Sequence, residues 1–167
     1  SALIYQVWRT MSRTPQHVYQ ILTKRPERMA VELPRLVRDF GVLPKVWLGV
    51  SIENQRFLYR ADVLKDIAAS VHFLSLEPLL EDVGALILDG IQWVIVGGES
   101  GPKSRPFDVA WARSVVRECQ RQRVACFVKQ LGAHPIQLDG DHVRFRDAKG
   151  GDPSEWPEDV RVREFPS

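Results

Sequence analysis

Five short apolar runs, each ending on polar or charged residues, constrain the fold of this chain more than any other feature. They are rich in Val, Ile, Phe and Trp, they have the length of β-strands, and segments long enough for helices separate them. Repeated strand–helix units build parallel sheets, so the pattern predicts an α/β fold with about five parallel strands. The runs are Val18–Arg25, Val46–Glu53, Val71–Glu77, Trp93–Glu99 and Ala125–Gln130.

Two architectures accommodate this pattern: a partial (β/α) barrel and, as the alternative, an open doubly wound sheet. Every connection between the runs is too long for a tight hairpin and long enough for a right-handed crossover. Periodicity alone does not separate the two architectures. In both of them ligands bind at the carboxyl ends of the strands, which directs attention to the residues that close each run.

Apolar residues at three- and four-residue spacing predict the helices between the strands. Asp108 is expected to cap the last of these helices. The connection from Leu79 to Gln92 is short and has room for a brief helix at most. The predicted helices are residues 2–13, Glu27–Phe40, Asn54–Ala69 and Asp108–Gln122.

The sequence divides after Gly132, where the strand–helix pattern ends. Residues 1–132 are assigned to the partial barrel, and residues 133–167 to an irregular tail folded onto the same domain. Within the tail, Ile136–Phe145 is predicted to form a hairpin around Asp139-Gly140-Asp141. Trp156 is predicted to pack the tail onto the barrel.

Composition excludes several classes of protein. No apolar run approaches the ~20 residues of a membrane span, and no signal peptide is visible. The two cysteines do not make a disulfide framework, so a reducing cytoplasm is expected. A net charge of +2 neither demands nor excludes a nucleic-acid partner. Because Ala2–Met11 already has a helical pattern, further residues are expected upstream of Ser1.

The strand ends supply the candidate catalytic residues. Glu53, Glu77 and Glu99 follow successive strands, and they are expected to converge on one rim of the sheet. Convergent carboxylates raise each other's pKa and act as acid and base, or they bind an amine or a metal. Lys129 binds an anion or becomes a nucleophile if it is desolvated. The alternative is that these carboxylates cap helices or pair with Arg25 or Lys129.

Further polar and glycine residues at the same rim are candidates for cofactor binding. The backbone amides of a glycine-rich loop after a strand can bind a phosphate or a carboxylate. No metal site is predicted, because Cys119 and Cys126 lack the paired spacing of zinc ligands and the four histidines are scattered. The candidate cofactor-binding residues are Lys24, Ser51, Ser75, Gly97, Gly98, Ser100 and Gln130.

Five motifs, in order along the chain, together resemble one family. That family is a phage- and prophage-associated group of radical S-adenosylmethionine-like proteins without an established function. The resemblance covers roughly residues 1–157, including the tail motif Lys149–Pro157. The motifs are Gln20–Met29, Val46–Glu53, Phe73–Leu80, Trp93–Gly101 and Phe127–Gly132.

The resemblance implies that this chain is the later part of a barrel whose strand-end residues line a cavity. Family members begin with a strand and a three-cysteine motif that holds an iron–sulfur cluster, with S-adenosylmethionine on its unique iron. This chain has neither, and Cys119 and Cys126 do not match that motif, so no cluster is expected here. Gly97-Gly98-Glu99 follows a late strand, so the methionine-binding role of a similar motif in radical enzymes is not assigned to it.

Three functions follow as hypotheses. The leading one is the carboxyl-terminal portion of a radical S-adenosylmethionine-like enzyme of unknown substrate, inactive by itself as a radical enzyme. The phage context suggests, by analogy, that the substrate of such an enzyme is nucleic acid or concerns its modification. The second is a binding module, with a second copy, another protein chain or nucleic acid at an open sheet edge. The third is a hydrolase or lyase that uses the carboxylates without a cluster.

Overall fold

Strands and helices alternate along most of the chain in a computed structural model, which describes residues 1–137 and 144–166. Two of the strands are short and pair only with each other. The strands are β1 (Tyr19–Thr23), β2 (Val46–Ser51), β3 (His72–Leu76), β4 (Trp93–Gly97), β5 (Phe107–Asp108), β6 (Ala125–Gln130) and β7 (Pro135–Ile136). The helices are α1 (Ala2–Arg13), α2 (Pro26–Phe40), α3 (Tyr59–Lys65) and α4 (Val109–Gln122).

The main sheet has five strands in the order β1-β2-β3-β4-β6, and every neighbouring pair is parallel. This confirms the predicted α/β fold with five parallel strands. The strand order follows the chain without the reversal that marks a doubly wound sheet. The sheet does not close into a barrel, so it has two edges, at β1 and at β6.

The helices cover one face of this sheet. The register aligns alternate residues of successive strands, such as Val50 with Leu74 and Leu74 with Val94, and these residues belong to the main core. Trp8 of α1 and Leu64 of α3 belong to that core as well. Within the described part of the chain, no helix lies on the opposite face, which we call the open face. None of the described helices combines the length and the apolar character needed to cross a membrane.

The predicted helices are confirmed except for the third one. Asp108 caps α4, because its side-chain oxygen accepts a hydrogen bond of 2.8 Å from the backbone nitrogen of Ala110. The prediction of one helix over Asn54–Ala69 was wrong: Gln55–Phe57 forms a 3₁₀ turn and α3 is short. At the start of this segment, Glu81 accepts a 2.8 Å hydrogen bond from the backbone nitrogen of Gln55, which holds Gln55 against the connection that follows β3.

The tail covers the β6 edge of the sheet. Residues 162–164 run antiparallel to β6: the Val128 nitrogen donates to the Val162 carbonyl, and the Glu164 nitrogen donates to the Cys126 carbonyl, each at 2.8 Å. Trp156 is 1% exposed and belongs to the main core, which is the packing predicted for it. The turn of the predicted hairpin falls on residues 138–143, outside the described residues.

Candidate functional site

The open face of the sheet contains a cavity of ≈ 580 Å³. This volume is in the range of small-molecule sites, and the cavity includes the carboxyl ends of β3 and β6. Its walls come from four strands and from one residue of the tail. The lining residues are Gln20, Leu22, Phe73, Ser75, Glu77, Trp93, Ile95, Phe127, Lys129 and Arg163.

Aromatic rings form the floor of this cavity. Trp93 lies at the centre of the cluster, with its ring centroid 5.9 Å from Trp47, 5.8 Å from Phe73 and 6.1 Å from Phe127. Phe165 of the tail packs on Trp93 at 5.5 Å. Trp93 and Phe73 are buried. Phe73, Trp93 and Phe127 line the cavity, and we call these three residues the aromatic floor. They give one end of the cavity an apolar surface, which Trp47 and Phe165 support from the side.

An ion pair stands at the other end of the cavity. The ammonium of Lys129 lies 3.0 Å from one carboxylate oxygen of Glu77 and 3.1 Å from the other. The side-chain amide of Gln130 donates to Glu77 at 3.4 Å and to the carbonyl of Gly98 at 3.0 Å. The Glu77 side chain is 20% exposed and that of Lys129 is 55% exposed. A ligand in the cavity can therefore reach both charges.

Glu53 belongs to a separate cluster at the ends of β1 and β2, in which Glu53 and Arg60 are buried and Lys24 is exposed. Its carboxylate pairs with the ammonium of Lys24 and, at 3.1 Å, with the guanidinium of Arg60. Arg60 also donates to the carbonyl of Ser51 at 2.7 Å and stacks on the ring of Phe57 at 4.0 Å. Burial alone would raise the pKa of Glu53, but the hydrogen bond and charge of Lys24, with Arg60, lower it on balance.

Glu99 pairs with Arg105 in the loop after β4. The guanidinium donates two hydrogen bonds of 2.9 Å to the carboxylate, and the backbone nitrogen of Arg105 donates a third of the same length. These bonds lower the pKa of Glu99 from 4.5 to about 2. They also raise the pKa of Arg105, as does, more weakly, the charge of Glu53.

This geometry predicts the acid titration of Glu99. In the native protein the side-chain carboxyl ¹³C signal should titrate with a midpoint near 2, and Arg105→Met should return it toward 4.5. The folded pKa lies below the unfolded one, so the pair stabilises the fold fully above pH 4.5 and this contribution is lost as the pH falls toward 2. A midpoint near 4.5 in the native protein would contradict the bidentate pairing.

The glycines after β4 have a packing role in the structure. A β-carbon on Gly98 would lie 2.8 Å from the α-carbon of Gly132 and 2.8 Å from the carbonyl oxygen of Leu131. A β-carbon on Gly150 would lie 2.6 Å from the carbonyl oxygen of Gly132. We call Gly98, Gly132 and Gly150 the glycine junction, because three backbone segments meet there. Gly97 lies opposite Gln130 at an irregularity in the β4–β6 ladder.

The cysteines lie in the core on the helix-covered side of the sheet. Cys119 of α4 and Cys126 of β6 are both buried. A hydrogen bond between the two thiols, together with burial, raises the pKa of Cys119. Within residues 1–137 and 144–166, no three His, Cys, Asp or Glu side chains are grouped to hold a metal ion. The two buried cysteines do not fit an iron–sulfur cluster, which needs accessible thiolates from more cysteines than this sequence has.

Comparison with known proteins identifies the family. A family model described as "Protein of unknown function (DUF5131)" matches residues 1–156. The chain belongs to this family. No curated protein and no solved structure matches it. The geometry of this DUF5131 chain is therefore the basis for a functional proposal.

The structure of this DUF5131 chain separates the predicted site residues into three groups. Ser75, Glu77 and Lys129 line the cavity, and Gln130 donates a hydrogen bond to Glu77. Gly97 is close by, since a β-carbon added to it would lie 3.5 Å from a carboxylate oxygen of Glu77. In the second group, Glu53 pairs with both Lys24 and Arg60, and Arg60 also donates to the carbonyl of Ser51. The third contains Glu99 and Gly98 in the loop after β4, followed by Ser100, which is exposed. Glu53 and Glu99 do not line the cavity around Glu77.

Sequence reasoning missed several residues of the cavity. Phe73 shares a strand face with Ser75 and Glu77, because side chains two apart point to the same side, and this alternation would have found it. The same rule applies to Ile95 and Phe127 on their strands. Arg163 carries no such signal, since it reaches the cavity from the irregular tail.

Proposed function

We propose that the open face binds a small amphiphilic molecule carrying both an amine and an acid group, and that this chain forms the ligand-binding wall of a barrel-like enzyme. The observation that carries the proposal is the Glu77–Lys129 ion pair at the end of a cavity with an aromatic floor. A carboxylate and an ammonium, side by side, match a zwitterion whose two charges are also side by side. The apolar part of the ligand then lies over Ile95 and Phe127.

Both members of the pair have hydrogen-bonding capacity left for a ligand. A lysine ammonium has three donors, and an ionised carboxylate accepts about four hydrogen bonds. Lys129 uses its donors on Glu77 alone among the described residues, and Glu77 accepts from Lys129 and Gln130. The apolar floor lowers the local dielectric, so charge–charge contacts here are stronger than in water.

The proposal does not include radical chemistry. Cleavage of S-adenosylmethionine by an iron–sulfur cluster stays a prediction from the resemblance, and it concerns a longer chain with a three-cysteine motif. The two buried cysteines of this chain do not fit that cluster.

Titration with three related probes tests the proposal. L-phenylalanine carries both charges, phenethylamine carries only the amine, and 3-phenylpropionate carries only the acid. Followed by NMR, L-phenylalanine should bind most tightly and should shift backbone signals of β3 and β6. We expect Glu77→Gln to weaken the binding of L-phenylalanine and of phenethylamine about tenfold. This is the loss expected for roughly one charge-assisted hydrogen bond. Lys129→Met should weaken the binding of L-phenylalanine and of 3-phenylpropionate by a similar factor.

Glu118→Gln is the matched control for these variants. Glu118 is also 20% exposed, pairs with Arg121 at 2.7 Å and accepts from Gln122 at 3.2 Å, but it lies on α4. This variant should bind all three probes as the native chain does. Equal binding of the three probes, no binding, or the same weakening in Glu118→Gln would refute the proposed recognition.

A further inference from the structure

Arg163 places a fixed positive charge beside the aromatic floor of the cavity. The centre of its guanidinium lies 5.4 Å from the centre of the Phe127 ring. Its Nε atom donates to the carbonyl of Val128 at 3.3 Å, and its Nη2 atom donates to the carbonyls of Lys129 at 3.1 Å and Gly151 at 3.3 Å. The ring and the three carbonyls therefore hold the guanidinium in one position at the wall of the cavity.

The charge of Arg163 is not neutralised by any of the residues that the structure describes. An arginine has five N–H donors, and the hydrogen bonds that Arg163 donates go to backbone carbonyls, which carry no net charge. In the described part of the chain, its Nη1 atom has no hydrogen-bond partner and no carboxylate pairs with the guanidinium. By contrast, Arg60 pairs with Glu53 and Arg105 pairs with Glu99. Arg163 therefore has N–H donors and a full charge available to a ligand.

The lining of the cavity has an excess of positive charge. Its charged residues, among those described, are Glu77, Lys129 and Arg163. One negative and two positive charges leave a net charge of +1. Because Glu77 and Lys129 pair with each other, the excess lies on Arg163. A ligand of complementary charge therefore has one more acid group than it has amine groups.

We propose that the ligand is an amino acid whose apolar side chain ends in a second acid group, and that Arg163 binds this group. The inference rests on the proposed function, which places the amine and the first acid group of the ligand at Glu77 and Lys129. Arg163 lies opposite Phe127, and Lys129 follows two residues later in β6, so the two acid groups would be roughly 7 Å apart. The apolar part of the ligand that joins them would lie over Phe127.

Titration with para-substituted derivatives of L-phenylalanine, followed by NMR, tests this inference. 4-Carboxy-L-phenylalanine has the second acid group, and 4-carbamoyl-L-phenylalanine has a neutral group of similar shape. We expect the carboxy probe to bind about fivefold more tightly than the carbamoyl probe, which is the effect of one exposed charge pair. This preference should decrease as salt is added. Arg163→Met should remove it, and Arg163→Lys should retain part of it, because lysine keeps the charge without the planar fork of donors.

Arg161→Met is the matched control. Arg161 belongs to the same tail and also donates to backbone carbonyls, those of Trp156 and Ser154, but it does not line the cavity. This variant should keep the preference for the carboxy probe. L-phenylalanine, which lacks the second acid group, should bind Arg163→Met as it binds the native chain. A loss of L-phenylalanine binding in Arg163→Met would assign Arg163 a structural role and overturn the inference.

The same titrations separate a failure of this inference from a failure of the proposed function. If L-phenylalanine binds as proposed but the carboxy and carbamoyl probes bind equally, only the role of Arg163 is overturned. The same conclusion holds if Arg161→Met removes the preference as Arg163→Met does. If the carboxy probe binds through Arg163 while Glu77→Gln weakens none of the probes, the proposed function fails and the acid-binding role of Arg163 is supported. Binding of none of the probes would overturn both.

Discussion

Replacing Trp156 by alanine should lower the free energy of unfolding by about 3–5 kcal/mol, the range for removing a large aromatic side chain from a core. Trp156 is among the largest fully buried side chains of the protein, at 1% exposure. Its indole nitrogen donates a 2.9 Å hydrogen bond to the carbonyl of Gly150, and the guanidinium of Arg163 lies 5.2 Å from its ring. The substitution would therefore leave a cavity and release the tail from the sheet.

Urea unfolding followed by circular dichroism measures this change, with two comparison variants. Trp156→Phe keeps most of the apolar volume and should cost about 1 kcal/mol from the hydrogen bond, because Leu131 also donates to the Gly150 carbonyl. Phe165→Ala removes an aromatic ring from the same tail, but this ring is 62% exposed. If Trp156→Ala cost no more than Phe165→Ala, the tail would not be part of the core.

Gly132→Ala should destabilise the protein by about 3 kcal/mol or more, through two separate effects. Gly132 has φ +81°, and an alanine in this left-handed region costs about 1–2 kcal/mol. The added β-carbon would also lie 2.9 Å from the carbonyl oxygen of Glu99, and crowding of this kind costs about 1–3 kcal/mol. The thermal unfolding midpoint should fall by roughly 6–12 °C for a chain of this size.

Two other glycines separate the backbone effect from the crowding. Gly84 has φ +67° and nothing within 4 Å of an added β-carbon, so Gly84→Ala should cost only about 1 kcal/mol. Gly98 does not have a positive φ, so Gly98→Ala should show the crowding alone. If the Gly132→Ala and Gly84→Ala variants had the same free energy of unfolding, close packing at the glycine junction would not contribute to stability.

Local patterns were sufficient to predict most of the fold. The strands on which the prediction rested are short runs rich in β-branched and aromatic residues, and α4 has both its apolar stripe and its cap at Asp108. The start of the third helix was predicted too early because a distant residue, Glu81, holds Gln55 in a 3₁₀ turn. The short strands β5 and β7 were missed for a similar reason: two residues leave no periodicity to detect.

The candidate site was less predictable than the fold. The rule that ligands bind at strand ends selected Glu77 and Lys129, which do line one cavity. It did not reveal that Glu53 is held between Lys24 and Arg60, since Arg60 lies inside a helix and its orientation depends on packing. The sequence pattern also predicted that Gly98 binds a ligand. In the structure Gly98 packs closely against Gly132, and this contact between distant loops leaves no signal in the local sequence.

The covered β6 edge has a consequence for synthesis of the protein. The chain leaves the ribosome from its amino end, so all five strands of the sheet emerge before residues 162–164. Until those residues are free, a nascent chain that has begun to fold carries an unpaired β6 edge. Neighbouring nascent chains on one messenger would present matching edges to each other, which is a known route to aggregation. Residues 162–164 therefore also protect the β6 edge from pairing between chains, but only after synthesis has reached them.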